Sequence, residues 1–242
     1  MHNHFDTIAE IYNTVWHFSE QYQAGMLANI IELLRLEPSD TLADVGGGTG
    51  VYTDLLRRTV GLRQAYCVEP SRNMWLEAQK IAGIESYCAD AAGFMALDLA
   101  FSKVLLKEVV HHIPDRATFW QYLRGRLPAD GRLLIVTRPQ AIALPLFEDA
   151  KAGFRRKQPH SDALLAELAA AGFATELRLH PYEFTLPKAT WFAMIRQRFM
   201  SDLAVFSDAE IEAGLAEIDA QYPGDSLLIP DTIVYIAAAP KP

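Results

Sequence analysis

From Thr41 onward the chain alternates short apolar or β-branched runs with amphipathic stretches, and that alternation leaves few folds open. The strand-length runs are Thr41–Val45, Ala65–Glu69, Ile84–Cys88, Lys103–Leu106, Arg132–Thr137, Ala174–Leu179 and Thr232–Ala238. Apolar strands separated by helices predict an α/β fold, a parallel sheet covered on both faces. Helix signals fall between them. Ser71 precedes "RNMWLEAQKIA" and Gly83 follows it, Asp115 opens "RATFWQYLRGRL" before Pro128, and Ser161 opens "DALLAELAAA" before Gly172.

Two segments lie outside the alternation. Ile8, Ile11 and Val15, then Met26, Leu27, Ile30, Ile31 and Leu34, recur at helical spacing and predict two helices over 6–36, stopped by Pro38. Segment 181–230 is far longer than a direct strand connection. Within it Phe192, Ile195, Phe199, Leu203 and Phe206 keep near-helical intervals, and Ser207 with Glu210 matches a capping box. The expectation is a single domain over 1–242 in which helices 6–36 and insertion 181–230 form a cap.

Charge and composition narrow the partners. A formal net charge of -8, with no basic run, disfavours a phosphate backbone, so no nucleic-acid partner is expected. The first residues lack the basic flank and apolar core of a signal peptide, and no long uncharged apolar run follows. A soluble, cytoplasmic protein with no membrane partner, monomeric or homodimeric, is expected. The 2 cysteines, Cys67 and Cys88, have no CxxC spacing and are expected to be buried thiols.

The chemistry starts at "LADVGGGTGVY". A glycine turn between the first strand and the next helix sits where α/β sheets bind ligands, outside the carboxyl ends of the strands. The dinucleotide fingerprint G-x-G-x-x-G does not fit, because from Gly46 its last glycine would fall on Val51. Gly46, Gly48 and Gly50 give G-x-G-x-G instead. Glu69 ends the second strand, where a carboxylate can accept both hydroxyl protons of a ribose. Asp90 follows the third strand, either meeting an exocyclic amine or capping the helix "AAGFMAL".

Taken in order, "DVGGGTG", "CVEPS", "CADAA" and "LLKEVVHHIP" resemble the motifs of class I S-adenosylmethionine-dependent methyltransferases, over about Thr41 to Gly172 and the last strand. The resemblance implies a Rossmann-like seven-stranded sheet of order 3-2-1-4-5-7-6, strand 7 antiparallel, and S-adenosyl-L-methionine as cofactor. It further implies that Asp44, Gly46, Gly48 and Gly50 hold the amino-acid end and Glu69 the ribose. Pro70, Ser71 and Met74 would flank the adenine, Asp90 and Ala91 would meet its edge, and Lys107 would face the cofactor through its backbone. The opening "FDTIAEIYN" is similar to the entry helix of the quinone-biosynthesis group, which makes Tyr12 a candidate cover for the cofactor.

Methyl transfer from a sulfonium is an in-line displacement that needs alignment, exclusion of water and removal of one proton. His111 and His112 follow the fourth strand, where an imidazole can take that proton; the resemblance favours His112, and packing before Pro114 is the other reading. No Asn/Asp-Pro-Pro-aromatic segment stands there, which points to an O or N nucleophile of a small molecule. Arg138, Trp191, Arg196 and Arg198 are candidate substrate contacts, by stacking or by pairing with an anionic group, or else cap core and surface ion pairs. No carboxylate set suits a hard cation, so no metal is expected. Two rivals stay open: non-methylating use of the same sulfonium or a non-catalytic cofactor-binding partner, and a nucleotide dehydrogenase.

Overall fold

The structure, a computed structural model, describes residues 20–242. The described chain runs from helix α1 (Glu20–Leu34) into β1 (Thr41–Val45), α2 (Val51–Val60), β2 (Gln64–Val68), α3 (Arg72–Ala78), β3 (Glu85–Tyr87), α4 (Ala91–Ala96) and β4 (Lys103–Lys107). A 3-10 turn (Val110–His112) leads to α5 (Arg116–Arg126), β5 (Arg132–Thr137), α6 (Glu148–Lys157), α7 (Ser161–Ala170) and β6 (Phe173–Pro187). Helix α8 (Lys188–Arg196), a second 3-10 turn (Ser201–Val205), α9 (Asp208–Gln221) and β7 (Ser226–Pro240) complete it.

The strands form one 7-stranded sheet of order β3-β2-β1-β4-β5-β7-β6. β7 is antiparallel to both β5 and β6, and the other pairings are parallel. Order and direction are those expected. Alternation along the strands sends Leu42 and Leu105 to one face, against α1, α2 and the 188–221 helices. Val104 and Leu106 go to the other face, against α4, α5 and α7. On that second face Arg116 makes a bidentate pair with Glu167 (2.9 and 2.6 Å), which also accepts the Trp120 indole N–H at 3.1 Å, tying α5 to α7.

Side-chain caps start helices α3, α4, α5 and α9. Ser71 accepts the Met74 N–H, Asp115 accepts that of Thr118, and Ser207 with Glu210 closes the capping box of α9. Four expectations are corrected. Helix α6, whose "EDAKAGFRRK" buries only Ala150 and Phe154, has too narrow an apolar stripe to announce itself. Helix α7 has Ser161 as its first residue and His160 at the cap. β6 and β7 continue paired from Phe173↔Pro240 to Pro187↔Ser226, past the boundaries Leu179 and Thr232. Pro181 does not stop β6, because β6 is an edge strand whose proline need not donate to a neighbour. Finally Cys67 is buried, but Cys88 is exposed.

Candidate active site

The glycine turn is built by packing as much as by conformation. Gly46 and Gly50 both have φ of 78°, and a Cβ on Gly46 would lie 2.5 Å from Val109 Cγ2. The turn is locked to β2 by the Gly46 N–H, which donates 2.7 Å to Val68 O. Gly50 then starts α2 without any side-chain cap, so the first-turn N–H groups of that helix point toward the strand ends with no competing side chain.

Two carboxylates flank the turn. Asp44, at 1% exposure, accepts the Thr53 hydroxyl on Oδ2 at 2.6 Å. Its Oδ1 has no hydrogen-bond partner among the described residues. Burial pushes the Asp44 carboxyl up to about 6, against the Thr53 bond and the Lys107 charge. Glu69, directly after β2, accepts the Gly48 N–H on Oε2 (3.0 Å) and the Ser71 N–H on Oε1 (2.8 Å), so backbone from two loops fixes its orientation. Asp90 is exposed and accepts the Gly93 N–H at 2.8 Å, which is the N-cap geometry. Pro70 is exposed, Ala91 half-buried, and Ser71 and Met74 buried. Tyr12 lies outside the described residues.

The end of β4 carries more than its local sequence suggests. Glu108 is a non-glycine residue at φ 57°, and its N–H donates to Val136 O at 2.8 Å. Its Oε2 accepts Arg138 Nη1 at 2.8 Å, while its buried Oε1 has no hydrogen-bond partner among the described residues. Arg138 also donates Nε to Asp231 Oδ1 (2.8 Å) and Nη2 to Oδ2 (2.7 Å), and Tyr22 donates its hydroxyl to the same Asp231 at 2.8 Å. Burial opposes the Arg138 charge, but Asp231 and Glu108 outweigh it and hold the guanidinium firmly protonated. Arg138 is therefore committed inside the protein at 2% exposure, not presented as an open anion anchor. Tyr22, Met26, Tyr52, Lys107, Glu108 and Arg138 line a small recess here.

His111 and His112 follow on the 3-10 turn with ring centroids 4.1 Å apart. Burial pushes the His111 imidazole down to about 4, partly countered by Asp202. The more exposed His112 moves the same way, through burial and the His111 charge. Both rings are thus neutral at physiological pH, the state of a proton acceptor. His111 Nδ1 is buried without a hydrogen-bond partner among the described residues.

The remaining substrate candidates sit elsewhere. Trp191 is 0% exposed, donates to Pro145 O at 2.7 Å and packs edge-on against Phe199, so it is core of the insertion and not a stacking platform. Arg196 pairs with Glu212 and Arg198 with Asp208, both on α9. No group of three potential metal ligands occurs among the described residues.

Glu108, Asp231, Tyr22 and Tyr52 are site residues that the sequence alone does not single out. "KEVV" gives no cue to the strained φ of Glu108, and no local pattern links Arg138 to Asp231 across 93 positions. The donor set suits a nucleoside carrying an amino-acid tail: an oriented carboxylate after β2, an uncapped helix N-terminus, and an unpartnered carboxylate oxygen beside the turn.

Residues 43–135 match the family model described as a methyltransferase domain. Among solved structures, the [4+2]-cyclase SpnF is 17% identical with a TM-score of 0.65, covering 98% of this chain and 94% of its own. Phosphoethanolamine N-methyltransferase 2 of Haemonchus contortus, in complex with S-adenosyl-L-methionine, is 18% identical with a TM-score of 0.62, covering 98% of this chain and 57% of its own. The YcgJ protein of Bacillus subtilis is 14% identical with a TM-score of 0.61, covering 89% and 98%. No curated protein matches the chain by sequence. Sheet order and domain match agree: residues 43–135 match a methyltransferase domain, and they lie within a Rossmann-like seven-stranded sheet of order 3-2-1-4-5-7-6.

Proposed function

We propose that the protein transfers the methyl group of S-adenosylmethionine to an oxygen or nitrogen nucleophile of a small molecule, as a soluble cytoplasmic enzyme of one domain. The observation that carries this reading is the meeting of the glycine turn, the Asp44 and Glu69 carboxylates and the Glu108–His112 segment at the carboxyl ends of adjacent strands β1, β2 and β4. Residues of three elements then face one ligand.

When bound, the sulfonium supplies an electrophilic methyl group. Gly46, Gly48 and Gly50 let the backbone approach the amino-acid end, with Asp44 beside it, and Glu69 accepts from the ribose hydroxyls. Pro70, Ser71 and Met74 would flank the base, and Asp90 and Ala91 would meet its edge. His112, or its neighbour His111, takes the proton lost by the acceptor, which a neutral imidazole can do at any pH above its depressed pKa. Helix α1 and the insertion 188–225 between β6 and β7 exclude water from the space beyond the strand ends. An acidic chain and an aromatic-walled recess favour a small acceptor over nucleic acid.

SpnF shares this fold and is a cyclase, so fold alone does not choose the reaction. Calorimetric titration with S-adenosylhomocysteine and with NAD tests the cofactor. S-adenosylhomocysteine should bind and NAD should not, with Glu69→Ala weakening the former on the order of ten- to a hundredfold. NAD binding in its place would revive the dehydrogenase.

A further inference from the structure

One desolvated charge at the strand ends, the Lys107 ammonium, stands outside every ion pair described above. β1 and β4 are paired so that Asp44 lies beside Leu105, and strand alternation puts Lys107 on the same face of the sheet, one pleat nearer the carboxyl edge. Tyr52, in the first turn of α2, lies over it with Nζ 4.4 Å from the ring centroid. Among the described residues the Lys107 side chain makes no hydrogen bond or ion pair. Nearby carboxylates are partly committed: Glu108 Oε2 and both oxygens of Asp231 go to Arg138, and Asp44 Oδ2 to Thr53.

Among the described residues at these strand ends there remain one ammonium, Lys107 Nζ, and two carboxylate oxygens, Glu108 Oε1 in the same recess and Asp44 Oδ1 beside the glycine turn. Glu108, Asp44 and Asp231 act on the Lys107 ammonium through space but none pairs with it directly, and a desolvated charge so placed is costly unless a ligand completes it. The complement of an ammonium and a carboxylate on one face is a zwitterion, and an α-amino acid carries both charges on one carbon. We propose that Lys107 Nζ binds the α-carboxylate of the cofactor's amino-acid end, with Asp44 Oδ1 toward its α-ammonium. This side-chain grip is distinct from the backbone contact that the motif implies. It rests on S-adenosylmethionine being the cofactor.

Calorimetry with two probes decides it: S-adenosylhomocysteine, and its decarboxylated analogue 5′-S-(3-aminopropyl)-5′-thioadenosine, which keeps the amine and lacks the carboxylate. Wild type should prefer S-adenosylhomocysteine. Lys107→Met should weaken that ligand on the order of ten- to a hundredfold while leaving the analogue within about twofold, which also shows that the pocket is intact. Lys107→Gln, read in the same way, serves if the Met variant does not fold. Unchanged S-adenosylhomocysteine affinity in the variant overturns the proposal and turns the ammonium toward the acceptor; so does equal weakening of both ligands. Wild type that binds neither overturns the cofactor reading itself.

Discussion

Arg138 shows how much the surroundings of a single side chain can decide. Directly after β5 it could have served as an anion anchor, yet its guanidinium is divided between Asp231 and Glu108 at 2% exposure. Removing one partner of a buried pair leaves the other desolvated and unpaired. Arg138→Ala should therefore cost about 3–5 kcal/mol in urea unfolding, and combining it with Asp231→Leu should recover part of the loss. Gly46 is the opposite case, legible from the motif. Its φ of 78° and the nearness of Val109 predict that Gly46→Ala costs about 1–2 kcal/mol for the backbone and about 1–3 kcal/mol for overpacking. Adding Val109→Ala should restore only part of the second, since the Cβ at position 109 would still lie 2.7 Å away, and none of the first.

Among the elements, the carboxyl end of β4 and the following 3-10 turn concentrate the titratable groups. His111, near 6.5 in the unfolded chain and about 4 in the fold, refuses protons that the unfolded chain accepts between those values. Stability from this group is fully present above pH 6.5 and is lost as pH falls toward 4. Asp44, raised from 3.8 to about 6, acts oppositely between those two values. Acid titration of His111→Asn should thus show less loss of stability between pH 6.5 and 4 than wild type. If an imidazole of this pair is the base, the acid limb of kcat/KM should fall well below 6.5, and a limb at 6.5 would argue against it. The insertion is a separate test of packing: Trp191→Ala should cost about 3–5 kcal/mol, as for a core aromatic.

Elements with strong periodicity or a cap are readable for physical reasons. The capping box at Ser207–Glu210 is a local event, and the apolar runs of β1, β4 and β5 are imposed by burial on both faces. Helix α6 and the outer halves of β6 and β7 are not, because a narrow buried stripe and an exposed edge leave composition free. The site divides along the same line. Gly46, Gly50, Glu69 and the histidine pair announce themselves by position after a strand, whereas Glu108, Asp231 and Tyr22 acquire their roles only from contacts between distant segments.

For the molecule as a whole, the seven-stranded order with β7 antiparallel places every motif-bearing loop of β1, β2 and β4 at one edge of the sheet. That arrangement serves methyl transfer and is shared with a cyclase, so the fate of the methyl group decides between the two chemistries. Mass spectrometry of the protein incubated with methyl-labelled S-adenosylmethionine and a cell extract of small metabolites reads that fate. Methyl transfer requires S-adenosylhomocysteine to appear together with a labelled small molecule. Methylthioadenosine as the product, or a donor that binds and is not consumed, would overturn methyl transfer as the reaction.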